Sequence, residues 1–280
     1  MKNLEEILNE KILSSNSIGG GCIADAKKII TESGNTYFVK SYYDNNASIL
    51  INEANGLREL KKTGVIKIPD VVFCNNEFLI IEYIKSGKRK NNFSELFGRQ
   101  FAEMHKFSSE NFGFYENNYI GANRQINIPQ KENWIDFYWE HRLLYQFKLA
   151  ERNGYVDSSF QKSFAEFEKR VPDILKGSEE KPSILHGDLW SGNYIVDENG
   201  DPVLIDPAVY YGHREADLGM TKLFGGFDSD FYSSYNETFP LREGWEYRID
   251  IYKLYHVMNH LNLFGTGYLS QAKSIINNYK

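Results

Sequence analysis

The segment His186-Gly187-Asp188-Leu189-Trp190-Ser191-Gly192-Asn193 sets an aspartate and an asparagine five residues apart. The run Val203-Leu204-Ile205 then leads into a second aspartate, Asp206. Phosphoryl transfer asks little covalent chemistry of a protein. It asks for an acceptor oxygen aimed at the phosphorus and for cations set against the phosphate charge. Asp188 can take the proton of an attacking hydroxyl, the carbonyl of Asn193 can bind a metal ion, and Asp206 adds an ionised ligand. These hard oxygens are the donors that Mg2+ prefers.

The spacing is that of a kinase catalytic loop, with Ile205-Asp206-Pro207 in place of Asp-Phe-Gly. An upstream strand lysine, Lys40, is then expected to reach the α- and β-phosphates of ATP. Glu53 on the following helix is expected to hold it, with Glu59 in reserve. Taken alone, each is an ordinary surface charge, and the Asp188 loop gives them their meaning. Gly19-Gly20-Gly21 lacks the G-x-G-x-x-G spacing. It lies before Lys40 between two expected strands, where backbone amides can approach phosphates unobstructed. Glu82, Tyr83 and Ile84 fall where a connecting segment offers backbone groups to adenine. His256 and His260 stand four apart on a helical pattern but lack a third ligand, so they are not read as a metal site.

The elements that must position these residues are legible in outline. Leu4, Ile7, Leu8 and Ile12 predict a helix over 3–13. Strand patterns follow through Cys22-Ile23-Ala24, Lys28–Thr31, Thr36–Lys40, Ile68–Val72 and Glu77–Tyr83, with a helix over 46–62. From 94 onward the chain reads as helical (94–107, 133–153, 158–170, 215–225, 228–237, 244–264, 270–279), broken by the hairpin Tyr194–Ile205. The expectation is an α+β, bilobal chain: a lobe over 1–85 with a five-stranded antiparallel sheet and one helix, and a larger, mainly helical lobe over 86–280, with a cleft between them.

Composition sets bounds. A net charge of −6 argues against a basic nucleic-acid-binding face. No apolar run reaches the length of a membrane span, and Glu5 and Glu6 stand where a secretory signal would need an apolar core. Two cysteines, Cys22 and Cys74, form no disulfide framework. The cytoplasm is the expected location, with no membrane or nucleic-acid partner.

The loop His-Gly-Asp-Leu-Trp-Ser-Gly-Asn resembles that of the fructosamine-3-kinase (ketosamine-3-kinase) family, relatives of the aminoglycoside and choline phosphotransferases. So do Ile205-Asp206-Pro207-Ala208, Tyr210–Glu215, Phe224-Gly225-Gly226-Phe227, Trp134–Tyr138 and His260–Tyr268. The resemblance runs over residues 15–280. It implies the protein-kinase-like fold, ATP and Mg2+ as cofactors, and transfer of phosphate to the third-carbon hydroxyl of a ketosamine, free or protein-bound. The product then sheds its sugar, a deglycation reaction. Carried over residue by residue, Asp188 is the base, Asn193 and Asp206 hold the metal, and Lys40 and Glu53 handle the phosphates. Trp190, His213, Glu215, Asp217 and His260 face the acceptor, and ribulosamines are expected to be preferred to fructosamines. Cys22 matches a family cysteine linked to redox sensitivity, so the expected state is a monomer or a Cys22-linked dimer. The competing readings are a phosphotransferase acting on an aminoglycoside, choline or similar alcohol, and a non-catalytic ATP-binding module. The latter should lack one of Lys40, Asp188, Asn193 or Asp206, and none is lacking.

Overall fold

The computed structural model describes residues 2–19, 25–42 and 48–279, and the chain divides into two compact units. The first comprises Met1–Phe93 with Tyr194–Pro207, and the second Ser94–Asn193 with Ala208–Lys280. Helix α1 (Lys2–Leu8) is shorter than its apolar pattern predicts. Asn9 turns into the left-handed region (φ 51°) and ends it. The chain then enters β1 (Ile12–Ser17), whose first amide donates to Glu5 Oε1 at 2.8 Å. Ile12 is therefore a strand residue. Strands β2 (Asp25–Thr31), β3 (Thr36–Ser41), β4 (Val71–Cys74) and β5 (Phe78–Glu82) complete a five-stranded antiparallel sheet in the order β1-β2-β3-β5-β4. Leu4, Ile29, Val39 and Ile80 form a core on the sheet. Helix α2 (Ser48–Lys61) buries Leu50, Ala54, Leu57 and Leu60.

Residues 194–207 join this unit as a hairpin, β9 (Tyr194–Val196) with β10 (Pro202–Leu204), paired through Val203 and Ile195. Three short strands that precede it in the chain, β6 (Asn118–Ile120), β7 (Asn123–Gln125) and β8 (Ser183–Leu185), belong to the second unit. The hairpin turn is built by Asp197, whose carboxylate accepts the amides of Asn199 and Asp201, and by Gly200 at φ +82°.

The second unit carries α3 (Phe93–Met104, all but its first residue), α4 (Trp134–Tyr138), α5 (Tyr145–Arg152), α6 (Ser158–Leu175), α7 (Glu215–Thr221), α8 (Ser229–Thr238), α9 (Trp245–Phe264) and α10 (Leu269–Asn278). Asn133, Asp157 and Asp228 cap α4, α6 and α8 by accepting amides at the first turn. The pattern over 133–153 is one helical path, but Trp139–Leu144 within it winds as a π turn. Helix α6 continues past 170 through Pro172, because Val171, Ile174 and Leu175 are buried and hold its last turn. Helix α9 buries residues around most of its circumference, including Ile251, Tyr252, Leu254, Val257, Met258 and Leu261, as an interior helix must. Two short strand pairs complete the unit: β6 (Asn118–Ile120) with β7 (Asn123–Gln125), and β8 (Ser183–Leu185) with β11 (Tyr210–Gly212).

Candidate active site

In the first unit, β3 presents Lys40 and α2 presents Glu53, and Lys40 Nζ bonds Glu53 Oε1 at 2.8 Å. The same ammonium bonds Asp206 Oδ1 at 2.7 Å. Burial pulls the Lys40 pKa down, but the two carboxylates outweigh it and hold it above the ordinary lysine value, so the group stays an ammonium. Glu53 is pushed up by burial against the pull of Lys40. Glu59, the reserve partner, lies instead 2.6 Å from Lys62. Asp206 follows β10 in the left-handed region (φ 54°), a conformation that costs a non-glycine residue about 1–2 kcal/mol and that aspartate tolerates better than most. Its side chain is 40% exposed.

In the second unit, β8 leads into the Asp188 loop. Gly187 sits at φ +81°, and a Cβ there would lie 2.0 Å from the Ala208 carbonyl oxygen, so only glycine fits. Asn193 Nδ2 donates to the Asp188 carbonyl at 2.7 Å and to Asp188 Oδ2 at 3.1 Å, which ties the two ends of the motif together. The Asn193 amide oxygen is thereby left as the donor to a cation. An ionised carboxylate and an amide oxygen are the donor chemistry of Mg2+. Among the described residues no group of three or more His, Cys, Asp and Glu surrounds a metal position.

Trp190 is 38% exposed and meets Phe224 edge-on at 5.8 Å, and Phe224 lies 5.0 Å from His260. The structure thus brings together Trp190 and His260 through an aromatic residue that the sequence reading used only as part of a resembling segment. His260 Nδ1 lies 2.8 Å from the His256 carbonyl. A carbonyl only accepts, so Nδ1 carries the proton and Nε2 is an acceptor. Burial lowers the His260 pKa, which keeps the ring neutral.

Three expected acceptor-side residues are placed otherwise. His213, Glu215 and Asp217 are each at most 1% exposed and are committed to internal partners. His213 Nε2 donates to the Ser178 carbonyl, and its Nδ1 accepts the Glu215 amide. Glu215 holds Arg248 through both oxygens, at 2.6 and 2.8 Å. Asp217 accepts the amides of His186 and Gly187 at 2.7 and 2.8 Å and faces His105 Nε2 at 3.2 Å. An ionisable residue beside a metal-binding motif looks the same in sequence whether it faces substrate or holds the loop from behind. Here the partners are backbone amides and a buried arginine. Missed altogether was His105, whose one signal was its place at the end of an apolar helical pattern.

On the nucleotide side, Gly19 is exposed with open space around it, while Gly20, Gly21 and Cys22 lie outside the described residues. The Glu82 side chain is engaged by Lys67 Nζ at 2.9 Å and the Asp70 amide at 3.3 Å, so any adenine contact there falls to backbone. Tyr83 is half-buried beneath Lys28 Nζ, and Ile84 is buried. Cys74 donates to the Leu50 carbonyl, and burial pushes its thiol up to about 11. No described helix is long and apolar enough to cross a membrane.

Comparison with known proteins agrees with this geometry. A protein-ribulosamine 3-kinase, chloroplastic, of Arabidopsis thaliana is 42% identical over 277 residues, which cover 96% of this chain and 83% of that protein. A protein designated a fructosamine-3-kinase from Thermobifida fusca YX-ER1 superposes with a TM-score of 0.88 at 30% identity, covering 99% of this chain and 96% of the other. A thermostable mutant of aminoglycoside phosphotransferase APH(4)-Ia superposes at 0.65 with 13% identity over 99% and 97% of the two chains, a likeness of the protein-kinase-like fold alone. The fructosamine kinase family matches residues 2–280, and the chain belongs to that family.

Proposed function

We propose that the chain is an ATP-dependent ketosamine 3-kinase. The observation that carries this reading is the Asp188 loop, in which Asn193 binds the Asp188 carboxylate and the exposed Trp190 ring stands two residues away. Asp188 accepts the proton as the O–H bond of the third-carbon hydroxyl breaks and that oxygen bonds the γ-phosphorus, with ADP leaving. Lys40, fixed by Glu53, is the cation for the α- and β-phosphates. Mg2+ held by Asn193 and Asp206 would neutralise phosphate charge. Lys40 also pairs with Asp206 and so holds this carboxylate in place until nucleotide arrives. Trp190 offers an apolar face to the sugar, and the His260 Nε2 acceptor is a partner for a hydroxyl or an ammonium hydrogen. The relatives named for ribulosamine make ribulosamine-lysine the first substrate to test.

ATP consumption with ribulosamine-lysine, fructosamine-lysine, choline and an aminoglycoside tests the reading. Turnover is expected on the ketosamines, fastest on ribulosamine. Asp188→Asn is expected to lower kcat by ~10²–10⁴ with ATP affinity little changed. Turnover confined to choline or the aminoglycoside would overturn the ketosamine assignment, and near wild-type turnover in Asp188→Asn would remove Asp188 as base. Calorimetry of ATP binding with and without Mg2+ tests the metal: Asp206→Ala is expected to abolish the Mg2+-linked part of the affinity.

A further inference from the structure

Arg142 is fully buried on the π turn, and among the described residues no carboxylate lies within ion-pair distance of it. Its guanidinium lies 4.0 Å from the centre of the Tyr210 ring and 4.7 Å from that of Phe137. Its hydrogen bonds go to the Ile126 and His141 carbonyls and to Asn127 Oδ1, the last at 2.8 Å, while Nε has no partner. Burying an unpaired cation is costly, and hydrogen bonds to neutral groups offset only part of that cost.

What Arg142 holds is a chain of amide side chains. Asn127 Nδ2 donates to Asn118 Oδ1 at 2.8 Å, and Gln125 Nε2 donates to the same oxygen at 2.9 Å. Asn118 Nδ2 then donates to the Val209 carbonyl at 2.7 Å, and Gln125 Nε2 also donates to the Ala208 carbonyl at 2.9 Å. The Tyr255 hydroxyl fixes Gln125 from the other side by donating to Oε1 at 2.8 Å. Asn118, Gln125, Asn127 and Tyr255 are all at most 3% exposed. Ala208 is the link to the loop. Its amide donates to the His186 carbonyl at 2.8 Å, and its own carbonyl oxygen occupies the space where a Gly187 side chain would lie. Burial pushes the Tyr255 phenol up; the Arg142 charge opposes that shift and the Asp188 charge adds to it, so this ring lies within electrostatic reach of both.

We propose that the β6–β7 hairpin, locked by Arg142 and Tyr255, is a positioning clamp: through the Ala208 and Val209 carbonyls it sets the backbone of His186-Gly187 and hence the aim of Asp188. Asn118, Gln125 and Arg142 are positioning residues that touch no reactant. The effect on rate rests on the ketosamine kinase reading, while the effect on the loop backbone does not. A displacement of the base by a fraction of an ångström is enough to slow a reaction that depends on alignment.

Two near-isosteric variants test the clamp. Gln125→Met removes both donated bonds at similar length and no charge, and Tyr255→Phe removes only the bond that orients Gln125. Hydrogen–deuterium exchange of the intact protein over residues 186–190, and kcat and KM on ribulosamine-lysine, are measured together. In both variants exchange at 186–190 is expected to quicken about tenfold and kcat to fall about tenfold, with KM for ATP within about twofold of wild type. Unchanged exchange at 186–190 and unchanged kcat, whatever happens to the melting temperature, would overturn the clamp and leave the network as packing. If Gln125→Met fails to fold, Tyr255→Phe decides by the same readouts. If the wild-type protein phosphorylates no ketosamine, the functional reading falls, and the exchange rates still decide the clamp.

Discussion

A Cβ added at Gly192 would lie 2.4 Å from the Trp190 ring, so this glycine is what lets the indole fold back over its own loop. The ring's far edge must swing away to admit even a methyl group. Gly192→Ala is therefore expected to act as a mild version of Trp190→Ala. Both should raise KM for the ketosamine, by about 10–200-fold for the full truncation, because one lost contact is worth ~1–3 kcal/mol. KM for ATP should stay within about twofold. Equal effects on both substrates would deny Trp190 its place on the acceptor side. That Asn193 meets the Asp188 carboxylate was legible in the motif, because two residues five apart on one loop can close on each other. The pairing of Lys40 with Glu53, where Glu59 was in reserve, was legible too. His213, Glu215 and Asp217 were not separable by type, because a carboxylate that holds a loop from within carries the same letter as one that meets a substrate. Their burial decides the matter.

Helices α7 and α9 are joined by the bidentate pair of Glu215 and Arg248, which are 0% and 4% exposed. Arg248 also donates to the Glu243 carbonyl, so the pair ties the start of α9 to the start of α7. Removing one partner leaves a buried charge alone, which costs about 3–5 kcal/mol. Glu215→Ala is expected to lower the melting temperature by roughly 10 °C or more, and Glu215→Ala with Arg248→Met to recover part of it. A melting temperature within about 2 °C of wild type in the single variant would mean that water reaches the arginine. Elements with a strong period were readable: α2, α6, α9 and the strands β2, β3 and β5 stand where their apolar patterns put them. Strand β1 was not, because Ile12 continues the helical spacing of Leu4 and Leu8 and the polar run Ser14–Ser17 shows no apolar alternation; the expected strand over 22–24 lies outside the described residues. What ends α1 is the backbone of Asn9, a conformation without a unique sequence signal. The three-residue strands β6, β7, β8 and β11 are too short to show a period at all. Strands β6 and β7 are held by side-chain bonds from Asn118 and Gln125 to the Val209 and Ala208 carbonyls, and β8 and β11 by backbone bonds with Phe107 and Gly113.

The acid response of the second unit follows from the histidines in its interior. Burial pushes His256 down to about 3, with His260 and Arg142 pushing the same way and Asp217 opposing. Burial likewise lowers His141 to about 4, and it lowers His105 against the bond from Asp217. In the unfolded chain these rings titrate near 6.5. Between about pH 6.5 and pH 3 the unfolded state therefore binds protons that the folded state refuses, so stability rises with pH through this window. It is fully present above the unfolded value and is lost as the solution is acidified. For His256 alone the loss from pH 8 to pH 5 is about 2 kcal/mol, since 1.5 pH units below the unfolded pKa correspond to that much proton-binding free energy. Its Nδ1 is buried without a hydrogen-bond partner, so protonation there has nothing in the fold to reward it. His256→Gln removes the titration while keeping a polar side chain of similar reach. Its denaturation midpoint at pH 8 can move either way, but the difference between pH 8 and pH 5 should shrink by about 2 kcal/mol relative to wild type. Urea melts of both proteins at the two pH values measure that difference. An undiminished difference in His256→Gln would show that His256 is charged or solvated in the folded protein and would move the acid sensitivity to His141 and His105.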